Sequence, residues 1–106
     1  MNATANEYVY IWEFIVAPEH TRAFEHTYGP SGEWVQLFQR APGYVRTELY
    51  RDRSQPRRFL TIDHWESKEA WETFRARFAV EFAALDDTCT AWTTREVEIG
   101  RLEPAL

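Results

Sequence analysis

Tyr8–Ala17 reads YVYIWEFIVA, a stretch in which Glu13 is the single charged residue. Side chains alternate across a strand, so Tyr8, Tyr10, Trp12 and Phe14 fall on one side and Val9, Ile11 and Ile15 on the other. Both sides are apolar, the pattern of a strand with cover on both faces. Pro18, which has no backbone N–H to continue a ladder, ends the run. What covers the two faces therefore decides the fold.

Outward from this strand the pattern changes period. Glu19 to Tyr28 carries Ala23, Phe24 and Tyr28 at helical spacing, and after Gly29-Pro30-Ser31-Gly32 a second stripe of Trp34, Leu37 and Phe38 resumes it. Two short helices joined by a tight turn are expected. Ala41-Pro42-Gly43 opens a strand over Tyr44 to Arg51, a polar turn follows to Arg57, and Arg58 to Glu66 forms the antiparallel partner. In that third strand Phe59, Thr61, Asp63 and Trp65 share one side, and Leu60, Ile62 and His64 the other. Ser67 is placed to cap a helix, with Glu69 in its first turn. Trp71, Phe74, Phe78, Phe82 and Leu85 then recur at spacings of three and four, with a bend expected between Phe78 and Val80. Trp92 to Gly100 alternates as a fourth strand, and Arg101 to Leu106 reads as a tail.

The order βαββαβ predicts an α+β, ferredoxin-like domain in which a four-stranded antiparallel sheet carries its helices on one face. No helix is left for the other face. A second copy of the sheet is the simplest cover, so a homodimeric α+β barrel is expected. The 106 residues suit a single domain, with its core over about residues 8–100.

Composition narrows function by exclusion. A formal net charge of −5 with scattered Arg residues speaks against nucleic acid or an anionic membrane as partner, since both need concentrated positive charge. No apolar run has the length of a membrane span, and Met1 to Glu7 lacks the marks of a signal peptide, so a cytoplasmic place is expected. Cys89, the lone cysteine, can form no internal disulfide and no cysteine-based zinc site. Glycine-rich phosphate loops, HExxH and GxSxG are absent, and no cofactor or metal is expected. His20 and His26 lie six apart on one helix, a spacing that points them to nearly opposite faces.

Two groups stand out as candidate catalytic residues. His64 sits near a strand end beside Asp63 and Trp65, where pocket rims form, although a hydrogen-bonded histidine at a dimer contact would look the same. Glu13, alone in an apolar strand, needs either a raised pKa or an ion pair, for which Arg46 and Arg95 are available. The aromatic share of 16% supplies the remaining candidates. Trp12, Trp34, Trp65, Trp71, Phe74 and Phe78 can line a cavity for a flat apolar molecule or pack as plain core.

Leu60–Ala70, LTIDHWESKEA, with Pro42-Gly43-Tyr44 before it and the order of elements around both, resembles the antibiotic-biosynthesis-monooxygenase family over roughly Tyr8 to Gly100. The resemblance implies a dimeric α+β barrel and places Trp65 at the strand-end tryptophan near which family enzymes hold substrate. That family includes cofactor-free oxygenases of aromatic polyketides and haem-degrading enzymes. Where the haem-degrading pattern has an Asn and a His, this chain offers Trp12 and Arg75. Where the polyketide pattern has an Asn and a Tyr, it offers Thr61 and Trp71. The expected function is a cofactor-independent monooxygenase of an aromatic or polyketide-like molecule, with His64 or Glu13 as base. The alternative is a non-catalytic dimeric binder or cyclase-like helper for a hydrophobic small molecule.

Overall fold

A computed structural model describes residues 7–105. Its strands are β1 (Tyr8–Val16), β2 (Tyr44–Arg51), β3 (Arg58–Trp65) and β4 (Thr93–Leu102), and its helices α1 (Thr21–Tyr28), α2 (Glu33–Phe38), α3 (Lys68–Arg77) and α4 (Ala79–Cys89). All pairings are antiparallel in the order β2-β3-β1-β4, which puts the apolar first strand at the centre beside β3. The helices lie on one face. Against them pack Tyr8, Tyr10, Phe14 and Val16 from β1, with Phe59 and Trp65 from β3. The other face carries Ile11, Ile15, Leu60 and Ile62 half-buried, with no helix over it among the described residues.

Local sequence accounts for the joints. Gly32 lets α2 start against the end of α1, since a Cβ there would lie 2.1 Å from the His26 carbonyl oxygen. The YGPSGEW segment is thus a close-packed corner that aims Trp34 inward. Gly43, at φ +91°, takes a backbone conformation that L side chains rarely adopt, and its carbonyl accepts the Glu66 N–H at 2.7 Å. Ser67 caps α3 by accepting the Ala70 N–H at 3.0 Å.

The long helix breaks within the span where a bend is expected, at Phe78, whose φ of −110° and ψ of 28° are not helical and whose ring is buried. β4 runs two residues past Gly100 into the expected tail, because Leu102 and Arg101 pair with Val9 and Tyr10 of the central strand. No helix among the described residues is long and apolar enough to cross a membrane.

Candidate active site

A cavity of about 310 Å³ opens between the covered face of the sheet and the helices. That is the lower end of the range for small-molecule sites. Trp12, Trp34, Trp71, Tyr10, Tyr28 and Phe82 form its aromatic walls. Trp71 meets Tyr10 edge-on at 5.0 Å between centroids, and Trp34 meets Phe82 in the same way at 4.8 Å. Such edge-on contacts hold the rings at fixed angles to one another. Arg75, Asp86 and Glu96, all exposed, complete the lining. The Arg75 guanidinium lies 3.7 Å from the centroid of the Phe82 ring and is held there by cation–π attraction.

The sheet contributes the polar floor, namely Thr47, Thr61 and Asp63. Asp63 is 8% exposed and has no cationic partner among the described residues. One carboxylate oxygen accepts the Thr47 hydroxyl at 2.7 Å, and Thr47 in turn accepts the Tyr44 hydroxyl at 2.9 Å. Burial pushes the Asp63 carboxyl up to about 6, against the smaller opposing pulls of the Thr47 hydrogen bond and the His64 charge. A register irregularity between Tyr44 and Arg46 builds this chain. Without it, residues three apart on a strand would face opposite ways. The extra residue turns Tyr44 and Thr47 to the same side, and Thr47 lands opposite Asp63.

The two residues expected to act as base point the other way. His64 follows Asp63 in the strand and so faces the open side, where its Nδ1 lies 2.6 Å from Glu7 and its Nε2 2.7 Å from Glu48. Glu13 also faces the open side and is ion-paired with Arg58 at 2.5 Å and Arg95 at 3.8 Å. Neither lines the cavity, because strand alternation puts them across the sheet from it. Of the expected aromatic set, Trp12, Trp34 and Trp71 line it, whereas Trp65, Phe74 and Phe78 do not. Trp65 is fully enclosed, with Phe38, Tyr44, Trp71 and Phe74 around it, and so belongs to the core behind the wall.

Sequence reasoning missed Asp63. Its signal was an acid sharing a strand side with Phe59, Thr61 and Trp65, which marks a carboxyl turned toward the covered face. Among the described residues, no group of three or more His, Cys, Asp or Glu side chains is arranged to hold a metal ion.

The architecture recurs in solved structures. SnoaB, a cofactor-independent oxygenase from Streptomyces nogalater, is 25% identical, with 96% of each chain covered and a TM-score of 0.65. The protein SO0527 from Shewanella oneidensis is 17% identical over 95% of each chain, with a TM-score of 0.68. PA3566 from Pseudomonas aeruginosa is 18% identical over 97% of this chain and 98% of its own, with a TM-score of 0.67. No curated protein matches the chain. The family model for antibiotic biosynthesis monooxygenase matches residues 8–84, which span all of β1, β2, β3 and α3 and the walls they contribute, and the chain therefore belongs to that family.

Proposed function

We propose that this chain is a cofactor-independent monooxygenase of a small aromatic molecule and that it works as a homodimer. The observation that carries the reading is the cavity itself, walled by Trp12, Trp34 and Trp71, whose floor holds a buried carboxyl. Membership in the family and the likeness to a cofactor-independent oxygenase support the same chemistry.

The reaction needs a substrate able to lose a proton and become electron-rich, such as an anthrone or a hydroquinone. For an anthrone, a base in the cavity removes a proton from the methylene carbon. The carbanion gives one electron to molecular oxygen, and the two radicals combine to form a C–O bond. The resulting peroxide anion takes up a proton. Loss of the second methylene proton then forms the carbonyl as the O–O bond breaks and water leaves. One anthrone and one O₂ become one anthraquinone and one water. The electrons come from the substrate, and the protein supplies stacking, exclusion of water and proton transfer.

The dimer rests on the open sheet face, where Ile11, Ile15, Leu60 and Ile62 form an apolar centre bordered by the Glu13–Arg58 and His64–Glu48 pairs. A second copy of this face would bury it symmetrically. A reducing, cytoplasmic setting suits the single buried thiol of Cys89.

Oxygen uptake with anthrone in the presence of a chelator tests the reading. The expected result is one O₂ consumed per anthraquinone formed, with kcat/KM lowered at least about tenfold in Trp71→Ala by loss of stacking. Saturable binding of anthrone without oxygen consumption would instead establish a non-catalytic binder.

A further inference from the structure

We propose that Asp63 is the proton acceptor of this site, held in place by Thr47 and Tyr44, and that the substrate presents an acidic C–H or O–H to the floor of the cavity. The inference rests on the aromatic-substrate reading above and deepens it.

Three observations carry it. First, a carboxyl buried on the helix side of the sheet is costly unless paired, and Asp63 has no cation beside it. Thr47, itself held by the Tyr44 hydroxyl, donates to one oxygen, while the other has no hydrogen-bond partner among the described residues. Second, Asp63 lines the same cavity as Trp12, Trp34 and Trp71, so a ring held between those walls lies over the floor that Asp63 forms. Third, burial keeps the carboxyl close to neutrality, which is where a base works best at physiological pH.

The other ionisable groups around Asp63 are accounted for. From β1 comes the Tyr10 phenol, whose hydroxyl donates to Glu98, and from α1 the Tyr28 phenol, whose pKa burial pushes up. Arg75 from α3, Asp86 from α4 and Glu96 from β4 stand in the exposed part of the lining. His64 acts only through its charge, from across the sheet. Asp63 is thus the buried carboxyl of the cavity. In the reaction the carboxylate takes the first methylene proton and returns it to the peroxide anion. It then takes the second and returns it to the departing hydroxide as water, so the carboxylate is regenerated.

Proton removal can be read separately from oxygenation. In deuterated buffer without oxygen, exchange of the methylene protons of anthrone is followed by NMR above the uncatalysed background. The wild-type chain is expected to accelerate exchange with an acid limb near pH 6. Asp63→Asn should lower it about 100-fold or more while anthrone still quenches tryptophan fluorescence. His64→Gln, on the open face, should keep exchange well above the acid limb, with loss of its charge moving that limb only to higher pH.

Exchange that is lost in Asp63→Asn without any oxygen uptake by the wild type would uphold Asp63 as base and sink the oxygenase reading. Oxygen uptake with exchange intact in Asp63→Asn would do the reverse. Absence of exchange in the wild type overturns the inference. Should Asp63→Asn not fold, Thr47→Val decides. Losing the hydrogen bond that favours the carboxylate should move the acid limb to higher pH, and a limb that stays in place overturns the assignment.

Discussion

The cost and the use of Asp63 are two sides of one placement. Its carboxyl has an ordinary value of 3.8 and is raised to about 6 in the fold, so the folded chain holds a proton there that the unfolded chain has lost. The folded state is therefore favoured below about pH 4, and this contribution, on the order of 3 kcal/mol, is lost as pH rises through 6. Asp63→Asn should match the wild-type melting temperature at pH 4 and exceed it by several degrees at pH 8. Equal melting at both pH values would show that the carboxyl is not desolvated. A buried carboxyl that weakens the fold above pH 6 contributes nothing to stability there, which fits a role in chemistry. Glu13 and His64 show the contrast, because each has salt-bridge partners on the open face and needs no such explanation.

The elements that carry the cavity depend on small local devices. Ser67→Ala removes the α3 cap and should lower stability by about 1 kcal/mol, read as a drop in denaturation midpoint without a change in slope. Gly32→Ala is harsher. Its Cβ would meet the His26 and Thr27 carbonyl oxygens at 2.1 and 2.3 Å, so α2 must shift and carry Trp34 out of the wall. A loss of at least about 2 kcal/mol and of anthrone binding is expected. Much of this level was legible beforehand, because the period of the apolar residues marks strands and helices and Pro18, Gly32, Gly43 and Ser67 mark their ends. The site was less so. YVYIWEFIV is apolar on both sides, so periodicity alone could not say which side the helices would cover, and with it whether Asp63 or His64 would face the cavity. Nor does local sequence announce the register irregularity after Tyr44, which rests on how β2 pairs with β3. Trp65, Phe74 and Phe78 share the spacing and chemistry of wall residues and are distinguished only by what packs around them.

For the whole molecule, one sheet has two unlike faces, an inner one that holds the cavity and an outer one over which no helix lies among the described residues. Ile62 sits near the centre of the outer face, opposite Ile11 and Glu48. Ile62→Glu should shift the sedimenting mass from twice 12.6 kDa to 12.6 kDa, while a wild type that already sediments as one chain would refute the dimer. The cavity is lined by residues of the sheet and the helices, and anthrone exchange by the variant measures whether a single chain suffices for the chemistry. The same lining has an optical consequence. Three of the five tryptophans stand at the cavity wall, while Trp65 is sealed in the core and Trp92 ends the short turn before β4. A bound aromatic should quench part of the emission and leave the rest, so the chain carries its own occupancy gauge, and replacing Trp12, Trp34 and Trp71 one at a time by Phe would show which wall a ligand touches first.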